Sequence, residues 1–476
     1  MPTYRSLFVL LFVLMLSGPA SAEGLTDLIM SPEDEKRIGA AEHQKILTEF
    51  GGAYHDEALT DYVDSIGQFL VTTTATADTE YTFTVLNSPV VNAFALPGGY
   101  VYVTRGLVAL AENEAELAGV IAHEIGHVVS RHSAKRQTKG TLANIGLLIL
   151  GAATESSTAV DIGQLGASAI LSGYSREDEY EADNLGVQYM SRAGFSPHAM
   201  ASFLRKLQAN DQLQSLLYGR RSSSGFGFFD THPRTADRVE RAIADASALQ
   251  VSNPIVAQDI YYEKIDGVLY GDDPSEGLIF GRRFVHPDLR FQFTVPQDFH
   301  LINTPTAVLA RGPSGAGIKL DMDDARTGGD MRRYITDVWA PEVTVRNVRR
   351  FKVNGQPAAS AVISGIQNGQ ADAVLAAIYH RKNVYRLAFV VPRAVEGRLN
   401  YAVEQTVQSF RSLTAAQARE YRPQSVVVHE VQPGDTIHSL SRRLPFADHQ
   451  LERFLVLNGM DRNSDLRAGQ LVKLIE

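Results

Sequence analysis

No cysteine occurs among the 476 residues, which excludes disulfides, thiolate nucleophiles, sulfur-ligated metal and lipid attachment through an N-terminal cysteine. Any metal held by this chain must therefore be bound through nitrogen and oxygen. Clustered basic charge is also missing: 45 Lys and Arg stand against 54 Asp and Glu, a formal net charge of −9. Phosphate binding depends on grouped Lys and Arg, so nucleic acid is not expected as a partner. No repeat of fixed period announces a solenoid. What remains is 44% hydrophobic and 21% charged residues, an ordinary globular composition. At roughly 100–200 residues per domain, the length predicts two to four domains.

Long apolar runs are scarce as well. Residues 1–22 carry Arg5, the apolar stretch Leu7 to Leu16, Gly18-Pro19, and then Ala20-Ser21-Ala22. This is the pattern of a secretory signal peptide, with an apolar run too short to span a bilayer, and cleavage is expected after Ala22. Cleavage would leave 44 basic and 54 acidic residues, a net charge of −10. A secreted chain without cysteine fits a bacterial periplasm better than a compartment where disulfides are usual. Residues 141–171 hold two small, apolar blocks of about a dozen residues, again too short to cross a membrane. They read as buried helices first, and as a lid or peripheral membrane contact second.

Between Ser31 and Ala248 the pattern is mainly helical. Ser31-Pro32-Glu33-Asp34-Glu35 is a helix start, with a capping serine, proline at the first helical position and acids in the first turn. Strand-like alternation covers 81–86, and Asn92 to Ala95 and Tyr100 to Thr104 flank the turn Leu96-Pro97-Gly98-Gly99. Helical periodicity then runs from Leu107 through His132. Around 249–280 the pattern loosens, and strands dominate to about Val391, with a helix at Val403 to Phe410. Tyr421-Arg422-Pro423-Gln424 introduces a last module of about fifty residues.

The chemistry is concentrated in His123-Glu124-Ile125-Gly126-His127. Side chains at i and i+4 share a helix face, so both imidazoles can reach one metal, with Glu124 beside its open position as a general base and acid. Three candidates compete for a further role at that metal. His132 stands about 140° around an ideal helix from His127 and reads as a surface or packing histidine. Glu179 and Asp183 form another i, i+4 pair, so one can ligate while the other holds a ligand histidine's free nitrogen. Without the first motif, this segment would read simply as a solvated acidic helix start. His232, in Thr231-His232-Pro233, and Arg238 are each candidates to stabilise an oxyanion, and His232 could instead occupy the metal's fourth position.

Taken together, Asn92-Ala93-Phe94-Ala95-Leu96-Pro97-Gly98-Gly99, the H-E-x-x-H sequence, Glu179 to Asp183 and Thr231-His232-Pro233 with Arg238 resemble the M48 zinc metallopeptidases of the bacterial periplasm. The resemblance implies one zinc ion per chain on His123, His127 and Glu179, Glu124 as base and acid, and Asp183 behind a ligand histidine. It also implies that the strand carrying Asn92, Ala93, Phe94 and Ala95 pairs with extended substrate, and that His232 can close the site. The expected function is endopeptidase action on unfolded or mis-assembled envelope proteins. The alternative is a chaperone-like or peptidoglycan-binding protein with a latent metal site. The family's helical repeats are missing from the C-terminal half.

Val428 to Ile437, Leu457-Asn458-Gly459-Met460 and Leu466 to Leu471 resemble a LysM domain, which implies binding of peptidoglycan-type glycans. Residues 280–415 faintly resemble the PsbP-like fold. The expected fold class is therefore α+β: a signal peptide at 1–22, then a mainly helical zincin-type domain with a short edge-strand sheet at 23–250. A connecting segment at 251–279, an α+β domain at 280–415, and a linker with a small βααβ module at 416–476 complete the expected layout.

Overall fold

The computed structural model describes residues 30–136, 173–218, 227–233, 237–324, 328–366 and 370–476. The signal peptide and the apolar blocks of 141–171 lie outside these residues. Helix α1 (Pro32–Glu49) starts where its cap predicts, with the Ser31 hydroxyl accepting the Asp34 N–H. Helix α2 (Glu57–Val71) follows and packs its apolar face on a three-stranded sheet of β1 (Thr82–Leu86), β2 (Ala93–Leu96) and β3 (Tyr100–Thr104). The strand order is β1-β3-β2, with β1 parallel and β2 antiparallel to β3, so β2 is an edge strand. The turn joining β2 to β3 needs glycine. Gly99 has φ +86°, and a Cβ there would sit 2.4 Å from the Glu80 carbonyl oxygen.

The short helix α3 (Arg105–Leu110) leads into α4 (Glu114–Val129), capped by Asn113. Every residue of α4 from Ala115 to His127 is buried, as expected of a helix apolar on all sides. Helices α5 (Arg176–Arg192) and α6 (His198–Tyr218) pack on it, α8 (Arg238–Ala248) packs on both of those, and the short α7 (Phe228–Thr231) precedes α8 in the chain. Here one expectation fails: α4 stops at Val129 and does not run through His132. Arg131 takes φ +54°, which breaks the helix, and helical backbone resumes at His132. No Gly or Pro in Val128-Val129-Ser130-Arg131 signals this stop. The turn is held by tertiary contact, with the Arg131 Nε donating to the buried Glu35 of α1 at 2.6 Å.

Segment 251–279 is more than a connection. Its helix α9 (Gln258–Ile265) buries Tyr261, Tyr262 and Ile265 in the core of the helical region, and β4 (Leu269–Tyr270) follows. Next comes a four-stranded sheet of β5 (Leu278–Phe280), β6 (Arg283–His286), β7 (Phe291–Thr294) and, from later in the chain, β15 (Arg411–Ser412), in the order β15-β7-β6-β5. A seven-stranded antiparallel sheet contains β8 (His300–Thr304), β9 (Ala307–Arg311), β10 (Gly317–Asp324), β11 (Arg346–Val353), β12 (Gln356–Gly365), β13 (Ala371–His380) and β14 (Asn383–Pro392). Its order is β11-β12-β13-β14-β10-β9-β8.

Alternation along these strands feeds two cores: Ile378, Leu387 and Phe389 face one side, and Ala359, Leu375 and Ala377 the other. Helix α10 (Glu396–Ser409) covers the first side. Strand β11 escaped the sequence pattern because Arg346, Arg349, Arg350 and Lys352 fill it. It is an edge strand, where charge discourages pairing with other chains.

The last module is a βααβ unit of β16 (Gln424–Glu430), α11 (Ile437–Ser441), α12 (Gln450–Leu457) and β17 (Leu471–Ile475). Its two strands are antiparallel, and β4 joins β16 as a third strand. Val426, Phe454, Val472 and Leu474 share one continuous core with α2, α4 and α6. No helix of the described residues is long and apolar enough to cross a membrane.

Candidate metal centre

Helix α4 carries His123, Glu124 and His127, all three buried. Helix α5 can approach because the contact is lined with small residues. A Cβ on Gly126 would lie 3.1 Å from the Ala182 carbonyl oxygen, and one on Gly186 would lie 3.2 Å from the His123 nitrogen. That close crossing brings Glu179 and Asp183 to the histidines. Ser175 caps α5 in a reciprocal capping box with Asp178, so the first-turn acids do serve the helix start. Glu179 nevertheless turns inward and is 0% exposed.

The ligand-type atoms converge. The Nε2 atoms of His123 and His127 are 3.0 Å apart. His232 Nδ1 lies 3.3 Å from His123 Nε2 and 3.0 Å from Glu179 Oε1. Glu179 Oε1 is 3.6 Å from His127 Nε2, and Glu179 Oε2 is 3.7 Å from His123 Nε2. One ligand atom from each of these four residues lies within 4.8 Å of all the others, a group that could hold a metal ion. Tetrahedral ligands about 2.0–2.1 Å from a zinc ion would be about 3.3 Å from one another, close to the spacings found. An all-nitrogen-and-oxygen donor set of three imidazoles and a carboxylate also suits that ion.

Surrounding groups fix the direction of each ring. His123 Nδ1 lies 2.9 Å from Asp183 Oδ1, leaving Nε2 to face the centre. His127 Nδ1 lies 2.9 Å from His132 Nδ1, and His132 Nε2 lies 3.3 Å from Glu181 Oε2 and 3.4 Å from Asp178 Oδ1. His132 is thus 1% exposed and behind the site, not on the surface. The helix break at Arg131 puts it there. Tyr174 stacks on His127 with centroids 3.8 Å apart, and Phe228 stacks on His232 at 4.5 Å. Sequence reading missed both aromatics and the place of His132. For Phe228 a signal existed, since it precedes His232 by one helical turn; for Tyr174 there was none.

Arg238, expected as an oxyanion donor, meets carboxylates in the structure. Its Nε and Nη2 donate to the two oxygens of Asp183 at 2.7 Å each, and its Nη1 lies 2.6 Å from Glu179 Oε2. The guanidinium is 2% exposed and faces two buried carboxylates, which need a counter-charge more than a substrate needs a donor. Burial alone would raise Asp183, but the charge and hydrogen bonds of Arg238 outweigh it and hold the carboxyl well below its usual range. Glu124 goes the other way: burial pushes it up against the opposing pull of His232 and His123. Burial lowers His127, with the neighbouring His123 adding to the effect, and so favours the neutral imidazole that can ligate.

Strand β2 runs beside this centre, with Asn92 just before it. Its backbone edge is partly occupied, because the Ser133 hydroxyl donates to the Ala95 carbonyl at 3.3 Å. The Asn92 carboxamide oxygen accepts the Ala93 N–H at 2.8 Å and the Thr231 hydroxyl at 3.4 Å, which ties the strand to the His232 segment.

Two histidines one turn apart, a carboxylate from a facing helix and a third histidine thus form a group that could hold a metal ion, with Glu124 beside it. Residues 57–245 match the profile of Peptidase family M48. A relative named beta-barrel assembly-enhancing protease, from Yersinia pestis, is 30% identical over 56% of this chain and 58% of its own length. The mitochondrial metalloendopeptidase OMA1 of Schizosaccharomyces pombe is 27% identical over 49% of this chain and 67% of its own. The chain thus spans a little over half of the first of these relatives. The solution structure of cyanobacterial PsbP from Synechocystis sp. PCC 6803 aligns with 30% of this chain and 98% of its own, at 9% identity and a TM-score of 0.23.

Proposed function

We propose that this chain is a periplasmic zinc endopeptidase that cuts extended segments of unfolded or mis-assembled envelope proteins and is held latent by His232. The carrying observation is the convergence of one ligand-type atom each from His123, His127, Glu179 and His232 to within 4.8 Å, beside a buried Glu124 that accepts no hydrogen bond among the described residues. In this reading His123, His127 and Glu179 hold zinc, which supplies Lewis acidity to a water molecule and a carbonyl. Glu124 takes the water's proton and returns it to the leaving nitrogen. Asp183 and His132 orient the two α4 histidines, and Arg238 neutralises the carboxylates. The Yersinia relative's name supports a link to the assembly of β-barrel proteins. An edge strand supports capture of locally extended chain by backbone pairing, with Asn92, Ala93, Phe94 and Ala95 as the docking residues once Ser133 yields. Peptidoglycan-type glycans are the ligand proposed for the βααβ tail, on its sequence resemblance and element order.

In this reading His232 stands where an attacking water would bind, a role supported by its Nε2 lying 3.4 Å from Glu124 Oε1. His232→Ala is therefore expected to raise cleavage of casein at least about tenfold, as when a competent state populated at about 10% or less becomes the main one. A fall in rate would instead assign His232 to catalysis. N-terminal proteomics of fragments released by that variant would report bond type and substrate class together.

His132 acts through His127, so its effect is on metal affinity. His132→Phe keeps a ring but removes the acceptor for His127 Nδ1–H, and zinc affinity is expected to fall about 10–100-fold. His132→Asn, whose oxygen can accept that bond, should recover part of the loss. Chelator competition measures both; equal affinity in His132→Phe and wild type would remove His132 from the site.

A further inference from the structure

We infer that the C-terminal βααβ unit is the abutment on which the H-E-x-x-H helix rests, with Lys473 as the positioning residue, so that docking of the tail and metal binding are thermodynamically coupled. The inference rests on the metal site proposed above and adds a means of regulating it. Lys473 lies on β17 and is 0% exposed. Its Nζ donates to the carbonyls of Ala109, Leu110 and Ala111 at 2.9, 2.9 and 2.7 Å. These carbonyls close the end of α3, where helix geometry leaves acceptors without intrahelical donors. The next residues are Glu112 and the Asn113 cap of α4, so Lys473 grips the turn that sets where the metal-site helix begins.

Other groups converge on the same turn. Lys206 of α6 donates to the Leu110 carbonyl at 3.1 Å and pairs with Glu112 at 2.7 Å, while Glu112 Oε1 lies 3.4 Å from Lys473 Nζ. Glu112 N–H donates to Glu116 of α4 at 2.9 Å, and Ser202 of α6 donates to the same carboxylate at 2.6 Å. On the tail side, Asn458 fixes the strand: its Oδ1 accepts the Lys473 N–H at 2.6 Å, and its Nδ2 donates to the Lys473 carbonyl at 3.0 Å. A tail that served only as a flexible tether would have no use for an ammonium inserted into its host. Burial beside Lys206 pushes Lys473 down to about 7, a cost that an apolar side chain would avoid and that specific placement of the turn explains. Linkage makes the coupling reciprocal: whatever draws the tail from α3 weakens metal binding by the factor by which metal binding holds the tail in place.

Hydrogen exchange of the full-length protein, with and without zinc, tests this. At free zinc one hundred times its Kd, amides that exchange through an opening shared with the site should slow about a hundredfold. The expected result is slowing in peptides of β16 and β17 as well as in α4, and loss of the tail effect alone in Lys473→Met. Slowing in α4 with unchanged tail strands in the wild type would overturn the coupling while leaving the metal site intact. No slowing anywhere would overturn the metal site, and the coupling with it. The wild-type comparison decides the matter even where Lys473→Met does not fold.

Discussion

Glu124→Gln is expected to keep its zinc and to lose about 10²- to 10⁴-fold in peptide cleavage, the usual contribution of a positioned general base and acid. The side chain is 0% exposed, and neither oxygen accepts a hydrogen bond among the described residues. Its neighbours His123 and His127 meet Glu179 and His232 at the centre, while Glu124 itself stands outside that ligand group. The amide has the same shape and leaves the ligands untouched, but it cannot take a proton. Burial already raises the Glu124 carboxyl, bringing it closer to the range in which it can both accept and return a proton near neutral pH. Metal analysis together with casein cleavage, best done in the His232→Ala background, separates binding from chemistry. Undiminished cleavage with zinc in place would end the mechanism; loss of zinc would show that Glu124 supports the ligands instead.

The second large effect concerns stability. Arg238→Met removes the counter-charge of Asp183, which is 3% exposed, and of Glu179, which is 0% exposed. Breaking a buried pair by deleting one partner typically costs about 3–5 kcal/mol, because the other charge stays buried. For a domain of this size, that corresponds to a drop of roughly 6–20 °C in the melting temperature of the metal-free protein. Zinc should restore part of the loss, since it brings positive charge beside Glu179. Calorimetry of Arg238→Met with and without zinc measures both. A drop below about 2 °C in the metal-free protein would show that the guanidinium does not neutralise these carboxylates.

The two variants also separate what was legible in the sequence from what was not. Helix geometry is local: a spacing of four residues puts His123 and His127 on one face of α4, and Glu179 and Asp183 on one face of α5. The Ser31 cap and the Leu96 to Gly99 turn are equally local, because backbone preference within a few residues settles them. Strand β11 was hidden because its arginines mask the alternation, and the missed turn of His132 depends on a contact between Arg131 and Glu35 that are 96 residues apart.

Arg238 shows the limit most clearly. Its neighbourhood to His232 suggested an oxyanion donor, yet the desolvation of two carboxylates on α5 decides where its charge goes. The boundary drawn before the tail shows the same limit, since composition loosens around 249–280 while α9, β4, β16 and β17 pack with the helical region. From the sequence alone came the absence of sulfur chemistry, the pair of i, i+4 motifs, and hence a nitrogen-and-oxygen metal site with Glu124 beside it. Tertiary structure decided that His232 sits among the ligand atoms, that His132 stands behind His127, and that Lys473 reaches α3. Those three facts depend on burial and charge balance between distant segments, and no spacing along one chain encodes them.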